Sequence, residues 1–145
     1  MNIKRPVYHQ IVIVLGLLSL MLNSSACNPV RLPLYDAVAY KSLTDLKPQV
    51  ANLYDTFSND PVDTNQVAAI RLKIIQLYEY EKGLGEANKA TTTQVNLIHD
   101  MFERHVNDRM TNGKWNQTHL DNVKKNISDA FDIAITTEGL KNKAK

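Results

Sequence analysis

The chain has 145 residues, of which 17 are basic and 15 acidic; 43% are hydrophobic and one is a cysteine. That length suits a single domain. The lone thiol excludes an internal disulfide, and the near-balanced charge lacks the basic excess of a nucleic-acid binder.

The first ten residues, MNIKRPVYHQ, carry Lys4 and Arg5 and no acid, and Ile11 to Leu22 (IVIVLGLLSLML) form an uncharged apolar run. A basic segment, an apolar segment of about 7–15 residues and small residues at a cleavage point make a secretory signal. The run is shorter than the about 20 residues that cross a bilayer, so residues 1–26 read as an export signal rather than a membrane span. Asn23-Ser24-Ser25-Ala26 then lead into Cys27. An ordinary peptidase, with Ser24 and Ala26 at the small positions, would cut between Ala26 and Cys27.

Ser-Ser-Ala-Cys also resembles the lipobox of bacterial lipoprotein precursors, in which a small residue precedes the modified cysteine. The family usually has leucine where this chain has Ser24, and the nearest leucine is Leu22. The resemblance covers the first 28 residues. It implies cleavage at the same Ala26–Cys27 bond, diacylation of the Cys27 thiol by chains such as palmitate, and a third chain on the new amine. A leftover cysteine in an exported chain calls for such an explanation, and two or three acyl chains anchor stably where one does not. In enteric relatives aspartate after the cysteine favours the inner membrane. Asn28 stands there, which by that resemblance points to the outer membrane with the domain in the periplasm. Acylation of Cys27 is the only covalent group expected, with no separate cofactor.

Removing Lys4 and Arg5 with the signal leaves 15 basic and 15 acidic residues between Cys27 and Lys145. Residues 27–35 form the lipidated terminus and a short tether; Pro29 and Pro33 and the lack of any period mark an extended segment. Residues 36–139 carry four helical patterns. The first, from Asp36 to Phe57, places Ala39, Leu43, Leu46, Val50, Leu53 and Phe57 on one face at alternating spacings of about 4 and 3. Pro48 lies off that face and predicts a kinked helix, or else a break near Thr44. The second is capped by Asp63 or Thr64 with Gln66 in capping-box position, and its stripe is Val67, Ile70, Ile74, Leu77 and Glu81, widened by Ile75 and Tyr78. Gly83 suits a left-handed residue past the helix end, with Leu84 as its apolar contact. The third starts at Thr91 and Gln94 and carries Val95, Ile98, Phe102 and Val106, with Met101 beside them. The fourth starts at Asn116, with Trp115 and Leu120 at the positions of a hydrophobic staple. It runs through Val123, Ile127, Ala130, Phe131 and Ala134 and ends before Gly139. Residues 140–145 read as a basic, solvated tail.

No segment alternates as a strand does. Four amphipathic helices with short connections predict an all-α fold, an antiparallel four-helix bundle or two packed helical hairpins.

Phosphate-cradling glycines and the common zinc and serine-hydrolase motifs are missing from the sequence, and an acylated Cys27 cannot serve as a nucleophile. The cluster from His99 to Arg109 offers His99 and Glu103 on one helix face, with His119 or His105 as a further ligand. His105 lies two residues, or about 200°, round the helix from Glu103, and a metal site needs three or four converging ligands. The simpler reading is a solvated face. Tyr80 is the tyrosine placed for a partner surface, whereas Tyr54 and Tyr78 flank core positions. Asn116-Gln117-Thr118 and Asn126-Ile127-Ser128 match the glycosylation pattern, but a bacterial-type front end makes both chance matches. The function expected is non-enzymatic: a lipid-anchored envelope protein whose helical domain binds, adapts or helps assemble a protein partner. The alternatives are an exclusion or immunity lipoprotein of the kind phages and plasmids carry, and a metal-binding or hydrolytic domain.

Overall fold

The computed structural model describes residues 33–141. The segment expected to be an export signal, together with Ala26, Cys27 and Asn28, lies outside the described residues. Within them, four α-helices follow in order: α1 (Ala37–Asp55), α2 (Thr64–Gly83), α3 (Lys89–Asn112) and α4 (Gln117–Gly139), with 3-10 turns at Thr56–Ser58 and Glu86–Asn88.

Three of the four starts have a side-chain cap. Asp36 caps α1, its Oδ1 accepting from the N–H groups of Val38 at 2.8 Å and Ala39 at 2.9 Å. Asp63 caps α2 through Asn65 and Gln66, both at 3.0 Å, so Thr64 is the first helical residue and not the cap. Asn116 caps α4 through the His119 N–H at 2.9 Å. Such side chains satisfy N–H groups that have no partner within the helix. Pro48 sits exposed on the outer side of α1, and the helix runs through it without a break, because the proline costs one hydrogen bond there while the apolar face stays in register.

Three terminal readings need correction, and the plainest is that α4 includes Gly139 instead of ending before it. The left-handed residue after α2 is Gly85 (φ 84°), not Gly83. Gly83 belongs to the last helical turn, where the Leu84 N–H still reaches Tyr80 and Glu81 carbonyls, and Leu84 is exposed instead of packed. Thr91 does not start α3: the helix begins at Lys89, directly after a 3-10 turn, and Thr91 is fully buried inside it.

α1 packs against α2 and α4, and α3 against α2 and α4. That closed order with short connections is the up-down antiparallel bundle. The four stripes meet in one core that includes Leu43, Val50, Ile74, Ile98, Phe102 and Ile127. Burying a full apolar stripe per helix is what stabilises segments that would be marginal alone. No helix among the described residues is long and apolar enough to cross a membrane.

Candidate functional site

The two ends of the bundle differ in chemistry. At one end, where the chain enters, the stripes of α2 and α4 terminate in the carboxylates Glu81 and Glu138, both fully buried. Glu138 gathers three elements. Its Oε1 accepts from the backbone N–H of Asp36 at 2.7 Å. Its Oε2 accepts from the Thr91 hydroxyl at 3.1 Å and from the Lys141 ammonium. Lys141 also donates to Asn88 Oδ1 at 2.7 Å, and Asn88 Nδ2 donates to Glu81 Oε2 at 2.9 Å. Lys141, read from sequence as tail, is therefore a buried member of the domain, drawn in by a carboxylate one turn back. Buried charges persist only when paired and hydrogen-bonded, and this network meets that condition except at Glu81 Oε1, which has no partner among the described residues.

Tyr80 stands at the edge of this cluster, 38% exposed, and its hydroxyl donates to Asp36 Oδ2 at 2.8 Å. That bond to Asp36 pushes the phenol up to about 12. Partial burial opposes ionisation of Asp36, but bonds from Ala39, Tyr80 and Val38 outweigh it and hold the carboxyl below its usual range. Tyr80 also lines a surface groove between α1 and α2 with Val38, Asp45, Gln49 and Lys73.

The other end is aromatic. Tyr54 is fully buried, not an edge residue, and its ring lies 5.3 Å from Phe57, 6.3 Å from Phe102 and 5.5 Å from Trp115. Trp115 does more than staple α4, because its N–H bonds the Phe57 carbonyl at 3.1 Å and its indole Nε1 donates to Asp108 at 2.8 Å. Arg109, 4% exposed, donates to the carbonyls of Phe57 at 2.8 Å and Asn59 at 2.6 Å and pairs with Asp60. It thereby ties α3 to the connection that follows α1.

The candidate metal ligands have other partners. His99 comes within 3.9 Å of Glu103, but both Glu103 oxygens accept from Arg71 of α2, at 2.6 and 3.0 Å. His119 lies 3.2 Å from Asp108 at the aromatic end. His105 faces Tyr54, with its Nδ1 at 3.0 Å from the phenol oxygen. Among the described residues no three His, Cys, Asp or Glu side chains group as a metal site would require.

Sequence reasoning singled out Tyr80 and placed Glu81 on the stripe, but it missed Asn88, Thr91, Arg109, Glu138 and Lys141. A signal was present. Glu138 continues the Ala130–Ala134 spacing, Arg109 continues Phe102–Val106, and Thr91 precedes Val95 by four. A polar residue on the extension of an apolar face is a candidate for burial with a partner.

Two titratable groups of the interior, the buried Glu81 and the half-buried His105, oppose one another. Burial, chiefly, and then the Glu138 and Asp36 charges raise Glu81 to about 7, against the pull of Lys141 and Asn88. Burial, chiefly, and then Arg104 lower His105 to about 4. A raised carboxyl contributes stability that is full below about pH 4.5 and is lost as pH climbs through 7. A depressed imidazole contributes stability that is full above about pH 6.5 and is lost as pH falls through 4. Their windows overlap and partly cancel. In urea titrations between pH 4.5 and 6.5, Glu81→Gln should steepen the loss of stability toward acid, while His105→Gln should make the domain gain stability toward acid. Parallel profiles for the two variants would contradict the assignment.

No protein-family model, curated protein or solved structure matches this chain.

Proposed function

We propose that the protein is a lipid-anchored envelope protein whose helical domain works by binding a protein partner at the membrane, as an adaptor or assembly subunit. The observation that carries the reading is Cys27, the only cysteine in the chain, placed directly after Ser24-Ser25-Ala26 and a short apolar run. The helical body supports it as a rigid, closed unit suited to presenting a surface. Its buried polar residues hold one another, and that is a structural role, in keeping with binding over catalysis. Confinement to a surface raises effective concentration, so a modest contact suffices for partner capture. By the resemblance noted at Asn28, the membrane is the outer one and the domain lies in the periplasm.

The test is metabolic labelling with an alkyne fatty acid in expressing bacteria. The parent chain should take up label and fractionate with membranes. Cys27→Ala should lose the label and be released in soluble form or accumulate as precursor. An unlabelled parent overturns the anchor. Crosslinking of the labelled parent in cells should then recover one dominant protein partner.

A further inference from the structure

We propose that the end of the bundle where the chain enters is a bilayer-docking face, with Leu34, Val38, Leu84 and Leu140 resting in the interfacial zone of the membrane; this rests on the lipid-anchor reading of Cys27. These four side chains are 58%, 57%, 42% and 81% exposed. They come from four different segments: the entering chain, the first turn of α1, the α2–α3 connection and the residue after α4.

The buried cluster brings those segments together. Asp36 is bonded to Glu138 at 2.7 Å and to Tyr80 at 2.8 Å, and Glu81 and Lys141 are joined through Asn88 at 2.9 and 2.7 Å. Each exposed residue lies within three positions of one of these anchors, so all four share this end. At the aromatic end, Met110 is the large exposed apolar side chain, 57% exposed. The other such residues lie along the helices. Clustered exposed apolar groups mark an interaction surface.

Chain length identifies the occupant. Six residue steps separate Cys27 from Pro33, and an extended chain advances at most about 3.6 Å per residue. An acylated Cys27 therefore holds this end within about 20 Å of the bilayer, while the aromatic end lies roughly 30 Å farther along helices of this length. Docking becomes an intramolecular event, for which shallow insertion of a few leucines suffices. Among the described residues, nearby Lys82 and Lys89 are paired with Glu79 and Glu86, so the contact they leave is apolar in character.

The experiment uses the full acylated protein, purified from membranes and reconstituted into phosphatidylcholine vesicles. Cysteines introduced singly as Leu84→Cys, Leu140→Cys and Met110→Cys take an environment-sensitive nitrobenzoxadiazole label, since the Cys27 sulfur is already blocked. Labels at 84 and 140 should emit to the blue and lose several-fold more intensity to spin-labelled phosphatidylcholine than the label at 110. Mass spectrometry of the same samples reports acylation. An acylated protein whose labels at 84 and 140 are as wet as that at 110 overturns docking and leaves the anchor standing. Absence of acylation overturns both. Protection at 84 and 140 in cell envelopes but not in vesicles assigns the face to a protein partner and overturns the lipid assignment.

Discussion

Replacing Glu138 by alanine should destabilise the domain by about 3–5 kcal/mol, the range for breaking a buried ion pair by removing one partner. The substitution strands the Lys141 ammonium, which keeps only Asn88, and removes the acceptors of the Asp36 N–H and the Thr91 hydroxyl. Each of those donors then bears a desolvation cost without a bond. The measurement is urea unfolding followed by far-UV circular dichroism. With an m-value of about 1–3 kcal/mol/M, the midpoint should fall by at least about 1 M. Removing both charges, as Glu138→Leu with Lys141→Met, should recover most of the loss, since apolar replacement of a whole buried pair is often neutral or better. A cost below about 1 kcal/mol for the single variant would remove Glu138 from the centre of this end.

Tyr54→Ala should cost a comparable amount, about 3–5 kcal/mol, through lost transfer energy and the cavity left among Phe57, Phe102 and Trp115. Tyr54→Phe keeps the ring and removes only the hydroxyl, leaving His105 Nδ1 without that partner; about 1 kcal/mol is expected. Trp115 is the only tryptophan, so native-state fluorescence reports on this end alone. Its emission should move to the red in the alanine variant as water reaches the gap, and stay in place in the phenylalanine variant. Equal destabilisation by the two variants would mean that the hydroxyl, not the ring packing, dominates.

Together the two predictions describe a bundle closed differently at its ends. The aromatic end relies on ring packing plus Arg109, whose guanidinium bonds the carbonyls of Phe57 and Asn59. The entry end relies on charge pairing among Glu138, Lys141 and their neighbours. Buried polar networks of that kind are costly to half-satisfy, and Glu81, with one free oxygen and a pKa raised to about 7, is its least satisfied member. The Asp36 N–H bond to Glu138 ties the entering chain to the far end of α4.

Local physics made most of the helices legible. Asp36, Asp63 and Asn116 each announce a start, since a short polar acceptor ahead of an apolar period can satisfy helix N–H groups from within the same stretch of chain. The stripes of α1, α2, α3 and α4 were readable for the same reason: apolar recurrence at 3.6 residues per turn is a property of each segment taken alone. The α2–α3 turn was misread because both Gly83 and Gly85 can take a positive φ, and it is Gly85 that does so. Thr91 looked like a cap because the capping spacing is short and common, whereas its actual role depends on Glu138, 47 residues away.

The sequence by itself determined the helical class, the positions of the four apolar faces and the lone thiol after an apolar run, because each is written in residues a few positions apart. Tertiary structure decided which polar side chains were drawn inside and with whom. Glu138 meets Asp36, 102 residues distant, and Arg109 meets Phe57, 52 residues distant. A carboxylate or guanidinium persists in a core only when it is paired and hydrogen-bonded, and no local pattern records partners that come from so far along the chain.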